Sequence, residues 1–268
     1  MRAPHSPFGM LADKLRYATD PVAFAIERLG FTPDPWQERL LRSQSQAIIA
    51  NCSRQVGKST ATAALALHTA LYNPGLILLI SPSLRQTKEL FGKVTEFLRR
   101  LQPVQELVED NRMSCELTNG SRIVSLPGDA ATVRGFSAPK LIVEDEAGWV
   151  SADLHSALRP MLAVSQGRMV LLSNPNGRRG HFFDIWTEGG AEWDRFSVTI
   201  HDCPRISKDW IEREKAATPA HRWAAEYECQ FSNTSDSLFA YDIIEAAFSD
   251  DVRPLFGREE LVAIAGGR

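Results

Sequence analysis

Residues 47–72 constrain this chain more than any other stretch. The mostly apolar run Ala47-Ile48-Ile49-Ala50-Asn51-Cys52 suits a buried parallel strand, and the Ala- and Leu-rich segment Thr60 to Tyr72 suits a helix. Between them lies Ser53-Arg54-Gln55-Val56-Gly57-Lys58-Ser59-Thr60. A strand, a tight loop and a helix in this order form a phosphate cradle. Backbone N–H groups at the helix N-terminus surround a β-phosphate, Lys58 neutralises β- and γ-oxygens, and the Ser59 hydroxyl is placed to ligate magnesium. The general pattern G-x-x-x-x-G-K-[ST] is not fully met, because Cys52 stands at its first glycine. Gly57-Lys58-Ser59-Thr60 alone would equally describe a helix start with a serine cap.

A second motif decides between the two readings. Lys140-Leu141-Ile142-Val143-Glu144-Asp145-Glu146 is an apolar strand ending in acids. Asp145 is expected at the metal, and Glu146 at the water that attacks the γ-phosphate. Glu144 points to the other face of the strand and is expected to be a surface or packing charge. A third strand, Met169 to Ser173, runs into the polar turn Asn174-Pro175-Asn176-Gly177, where Ser173, Asn174 and Pro175 are placed to sense the γ-phosphate. As bare turn residues before a proline they would need no ligand. The expected strands are residues 47–51, 76–81, 122–126, 141–145, 168–173 and 195–200. Helical patterns occupy 59–72, 84–101 and 152–163, the last interrupted at Pro160. Alternating strands and helices predict an α/β fold with a mostly parallel, doubly wound sheet. Two further helices, 206–217 and 220–230, predict a small helical lid subdomain.

These motifs together resemble the ATPase domain of the large terminase subunit of tailed bacteriophages and prophages, a P-loop NTPase of the additional-strand catalytic-glutamate type. That family favours a loop without the usual first glycine, which Ser53, Arg54, Gln55, Gly57, Lys58 and Ser59 match. Pro35-Trp36-Gln37 resembles its adenine motif, and Arg134-Gly135 its arginine before the acidic strand. Asp145-Glu146-Ala147 and Ser173-x-Pro175-x-Gly177 resemble its acidic and coupling motifs, and Glu226 to Phe231 with Leu238-Phe239 its link to a second domain.

The resemblance implies a motor that hydrolyses ATP with Mg2+ and moves double-stranded viral DNA into a procapsid. Its implied partners are a portal protein, a small terminase subunit and further copies of itself in a ring. Trp36, Gln37 and residues Ser53 to Thr60, including Val56, would surround the nucleotide. Gln37 could read adenine, yet it also stands where a capping box starting at Asp34 would need it. Trp36 is as well suited to the core. Arg54 in cis or Arg134 in trans could be the arginine finger. The implied organisation is a helical lead-in (1–33), the ATPase core (34–203), the lid (204–250) and a tail (251–268) toward a nuclease domain, so nuclease activity is not expected from this chain. A helicase-like ATPase, or a shortened prophage protein kept as an assembly module, are the alternatives.

Composition narrows the remainder. At 268 residues and 44% hydrophobic content the chain can bury one sizeable core. The four cysteines show no metal-ligand spacing and are expected reduced and buried in a cytoplasmic protein; the resemblance implies the bacterial host cell and absence from the mature virion. No apolar run reaches membrane-spanning length. A net charge of −3 excludes a surface coated in cationic charge, so DNA contacts must be local. Arg178-Arg179, in a turn expected to be flexible, are the candidates. Arg99-Arg100 read as a solvated helix face.

Overall fold

The computed structural model describes residues 7–101, 107–128 and 135–232, with the single positions 133 and 247. The described residues between 7 and 232 form one compact unit. It is built on eight strands: β1 (Ala47–Cys52), β2 (Leu76–Ser81), β3 (Leu107–Asp110), β4 (Ser114–Leu117), β5 (Arg122–Pro127), β6 (Leu141–Asp145), β7 (Arg168–Ser173) and β8 (Trp193–Val198). Their order across the sheet is β3-β4-β5-β2-β6-β7-β1-β8. From β5 to β8 every pairing is parallel, and β3 and β4 add an antiparallel edge. The strand β7 lies between the loop strand β1 and the acidic strand β6, the extra strand that defines the expected NTPase class.

Period-two alternation sorts each central strand onto two cores. Ile48, Ala50, Ile77, Leu79, Leu141, Val143, Val170 and Leu172 join one cluster, with Tyr17 of α1 (Pro7–Thr19) and with α2 (Pro21–Leu29), α3 (Pro35–Arg42), α4 (Lys58–Tyr72) and α5 (Leu84–Arg100). Ile49, Leu78, Ile80, Ile142, Met169 and Leu171 join the other, with Leu154 and Leu158 of helix Ala152–Leu158 and Phe182 of helix Gly180–Glu188. Both faces of the sheet are therefore covered, which is why these strands read as unbroken apolar runs. The same alternation fixes the acids of β6. Asp145 follows Val143 onto the α4 face, and Glu144 follows Ile142 onto the other.

Local signals explain the helix starts. Asp20 accepts from Val22 N and Pro21 opens α2, while Gly30 at φ 60° closes it. Ser83 caps α5 and Ser207 caps Lys208–Ala217. The lead-in is not separate from the core: Phe24 and Leu29 of α2 are buried in the α4–α5 cluster. Helices Lys208–Ala217 and Ala220–Glu226 enclose a small core of their own, Ile200, Ile211, Trp223 and Tyr227.

Four expectations need correction. The last strand begins at Trp193 and ends at Val198, because Asp202 Oδ2 accepts from Thr199 N at 2.8 Å and starts a 3-10 turn. The hairpin β3–β4 was not legible in four-residue strands without alternation; Asn111 Oδ1 makes its turn by accepting from Met113 N and Ser114 N. The turn after β7 leads straight into the helix Gly180–Glu188. Glu144 is neither a surface nor an ordinary packing charge, since it is wholly buried between two histidines.

Candidate nucleotide site

Beyond β1 the chain makes the tight loop that the sequence called for. Gln55 (φ 64°) and Gly57 (φ 88°) take left-handed conformations. Only glycine fits at 57, where an added Cβ would lie 2.7 Å from Gln37 Nε2 and 3.0 Å from Arg205 Nη2. The loop is tied down from outside by Ser53 N to Val198 O (2.7 Å) and Arg54 N to Glu226 O (3.0 Å).

Lys58, though buried, keeps two acceptors, Ser53 O at 3.3 Å and Glu146 Oε1 at 3.4 Å. Burial works against its charge, but Glu146 and neighbouring groups outweigh it and hold its pKa above the ordinary lysine value. Ser59 Oγ donates to Asp145 Oδ2 at 3.0 Å. The other Asp145 oxygen, Oδ1, is buried without a hydrogen-bond partner. Burial, reinforced by repulsion from Glu146, pushes the Asp145 carboxyl up to about 6. A hydroxyl and a carboxylate with an unmet oxygen, side by side, are hard oxygen donors suited to Mg2+, and a cation would offset the cost of that charge. Glu146, one residue on, sits at φ 58°, a strained position for a non-glycine residue that turns its carboxylate back to Lys58.

These groups line a cavity of about 900 Å3. Arg54, Gln55, Gly57, Lys58, Ser59, Thr60, Asp145, Glu146 and Asn174 all face it. Trp36, Gln37, Ser53, Val56, Ser173, Pro175, Arg178 and Arg179 do not line it. Trp36 is buried in the core. Gln37 caps α3, with Oε1 accepting from Asp34 N (2.8 Å), and braces the loop through Nε2 to Gly57 O (3.1 Å). Val56 is core, and Ser53 is buried beneath the loop. The exposed Arg54 side chain lies 3.6 Å from Glu226. Ser173 Oγ donates to Asn174 O (2.8 Å), and Asn176 Nδ2 to Gly148 O (2.8 Å), joining the turn after β7 to the segment after Glu146. Arg178 Nε donates to Phe231 O at 3.4 Å, and Arg179 is exposed. Arg134 and Leu238-Phe239 lie outside the described residues.

Sequence reasoning missed three cationic members of the wall, Arg85, Lys93 and Arg205. Lys93 Nζ donates to Thr60 Oγ1 at 3.0 Å, from a stripe of α5 that also presents Gln86 and Glu89. Their i, i+3, i+7 spacing was a usable signal. Arg205 pairs with Asp34 at 2.8 Å across 171 residues, for which no local pattern exists.

On the far face of β6, His155 Nδ1 lies 2.8 Å from Glu144 Oε1 and His181 Nε2 lies 2.9 Å from Oε2. An ionised carboxylate only accepts, so each ring presents an N–H to it. Burial tends to raise the Glu144 carboxyl, but these two hydrogen bonds and their charge interactions prevail and hold it below the usual value. The rings are stacked at 4.3 Å, each serving a different oxygen of the carboxylate.

Comparison with known proteins agrees with this architecture. The family model for the terminase large subunit, T4likevirus-type, N-terminal, matches residues 49–246. The large terminase subunits of Thermus phage G20c and Thermus virus P23-45 are each 25% identical over 251 residues, covering 80% of this chain and 52% of their own length. The chain thus spans about half the length of these curated relatives. Among solved structures, the large terminase ATPase domain of Thermus phage P74-26 superposes with a TM-score of 0.70 at 22% identity, over 79% of this chain and 99% of that one. The HK97 bacteriophage large terminase gives 0.64 at 15% identity, over 85% and 58%.

Proposed function

This chain belongs to the T4likevirus-type large terminase subunit family, and from that premise we propose that it binds ATP with Mg2+ and hydrolyses it to drive double-stranded DNA into a procapsid. The observation that carries the reading is the convergence of Lys58, the Ser59–Asp145 pair and Glu146 on one end of the cavity. Loop N–H groups and Lys58 bind the β- and γ-phosphates. Mg2+, held by Ser59 and Asp145, would neutralise charge on the phosphate oxygens. Glu146 orients the attacking water and accepts its proton. Glu146 lies 3.4 Å from Lys58; a bound triphosphate would compete for that lysine and leave the carboxylate to the water. The arginine finger is Arg54 in cis, on the cavity wall, or Arg134 in trans, offered to a neighbouring copy in a ring on the portal. Asn174, at the end of β7, senses the γ-phosphate. The hydrogen bond from Asn176 to Gly148 relays its state, and Arg178 and Arg179 grip the DNA backbone just beyond. Consistent partners are a portal protein and a small terminase subunit.

Glu146→Gln tests the chemistry. ATP binding should persist while turnover falls by at least roughly a hundredfold, the low end for a positioned base. Turnover at the parent rate would remove Glu146 from the mechanism, and absence of turnover in the parent, with and without duplex DNA, would favour an assembly module.

A further inference from the structure

Arg205 lies between β8 and the helix Lys208–Ala217, so it reaches the cavity from the small helical subdomain. Its guanidinium is forked onto Asp34, with Nη2 2.8 Å and Nε 3.2 Å from Oδ2. Nη2 also donates to Val56 O at 3.1 Å. Asp34 is buried at the start of α3, so the fork is anchored to a fixed point. Yet 56% of the Arg205 side chain is exposed, on the wall of the cavity.

Two groups of side chains hold the phosphate loop. Asp145 and Glu146 reach Ser59 and Lys58, the metal and phosphate positions. Gln37 and Arg205 reach Val56 and Gly57. A nucleotide with its phosphates on Lys58 and Ser59 must place its base away from the acids. The Gln37 amide is already committed at both ends, to Asp34 N and Gly57 O, so reading adenine with it would break its bond to the loop or to the cap. A guanidinium held in plane by a carboxylate offers a different interaction, since its face stacks on an aromatic ring.

We propose that Arg205 is the residue that holds the base of the bound nucleotide, its plane covering adenine while Asp34 keeps it in register with the loop. This rests on the cavity being the ATP site. Stacking contributes affinity equally before and during reaction, so it acts on KM and leaves kcat in place. It also makes the base a bridge between the phosphate loop and the helical subdomain.

The test compares parent, Arg205→Ala and Arg205→Lys by ATP titration of hydrolysis, equilibrium binding of ADP, and binding of inorganic tripolyphosphate, which has no base. Arg205→Ala should raise KM for ATP and weaken ADP by roughly three- to thirtyfold, and should weaken tripolyphosphate, which feels only the lost brace on Val56 O, by clearly less. Arg205→Lys keeps charge without the plane, so it should fold like the parent and still lose most of the ADP affinity. Unchanged KM and ADP affinity in Arg205→Ala would overturn the proposal. So would a tripolyphosphate loss equal to the ADP loss, which would move Arg205 to the phosphates. Because ADP binding needs no turnover, a parent that binds ADP without hydrolysing ATP would sink the ATPase reading and still decide the role of Arg205.

Discussion

Glu144 and Asp145 are adjacent in sequence, both buried and opposite in electrostatic fate. Glu144 turns into the face covered by helices Ala152–Leu158 and Gly180–Glu188, where two imidazoles satisfy both its oxygens. Asp145 turns to the α4 face, where one oxygen meets Ser59 and the other meets nothing. The first carboxyl is held below its ordinary range, the second is pushed up to about 6. Burial alone therefore does not decide the state of an acid; the donors that accompany it do. One carboxylate of the strand end is finished, both its oxygens met although His155 Nε2 behind it is not, and the other is left incomplete in a way that a cation completes.

Breaking the finished face should have the largest effect on stability. Glu144→Ala leaves two buried imidazoles without their acceptor, and removing one partner of such a buried pair costs roughly 3–5 kcal/mol. Urea unfolding of the metal-free protein measures it. A loss within about 0.5 kcal/mol, the scale of an ordinary surface substitution, would mean that the three groups do not form a pinned unit.

Asp145→Asn should act in the opposite sense on stability while abolishing hydrolysis. The Asp145 carboxyl is raised from its ordinary 3.8 to about 6 in the fold. Its contribution is thus a penalty, fully developed above pH 6 and relieved as pH falls toward 4; at one unit per 1.36 kcal/mol it is at most about 3 kcal/mol. Glu144 carries the reverse sign. Its lowered value makes a contribution that is complete above the ordinary 4.5 and lost as pH falls through the folded value. The metal-free Asp145→Asn protein should therefore melt above the parent at pH 8, with the gap closing as pH falls from about 7 toward 4. A variant that melts below the parent at pH 8 would show that Asp145 is satisfied without a cation.

The two faces were unequally legible in the sequence, for a physical reason. β2, β6 and β7 were readable to the residue because strands buried on both faces are apolar runs with sharp polar ends. The loop at 53–60 and the pair Asp145-Glu146 were readable because phosphate chemistry demands particular residues in consecutive order. The partners of Glu144 lie 11 and 37 residues away, and Arg205 is 171 residues from Asp34. Such pairs are made by topology, so no local window contains them. Gln37 illustrates a different limit. Its cap was legible in the local pattern, but the other end of the same amide goes to Gly57 O, 20 residues away, and the side chain does not line the cavity as the adenine reading required.

The smallest expected effect belongs to the proposed DNA grip, which the finished face supports. His181, bonded to Glu144, is the second residue of the helix Gly180–Glu188, and Arg178 and Arg179 immediately precede that helix. The arginines are thus anchored through a buried pin to the strand that carries the hydrolytic acids. A grip on backbone phosphates reads no base edges, so under this proposal replacing both with alanine should weaken duplex binding alike for all sequences. The salt dependence of binding should flatten by at most about 0.9 in log–log slope for each phosphate that is no longer neutralised. Duplex titrations at several salt concentrations, with ADP and with a non-hydrolysable ATP analogue, measure both quantities. If the pin transmits nucleotide state, the parent slope should differ between the two nucleotides and the double variant should lose that difference. Equal slopes for parent and variant under both nucleotides would assign Arg178 and Arg179 to the structure of the turn and confine the motor's chemistry to the Asp145 face.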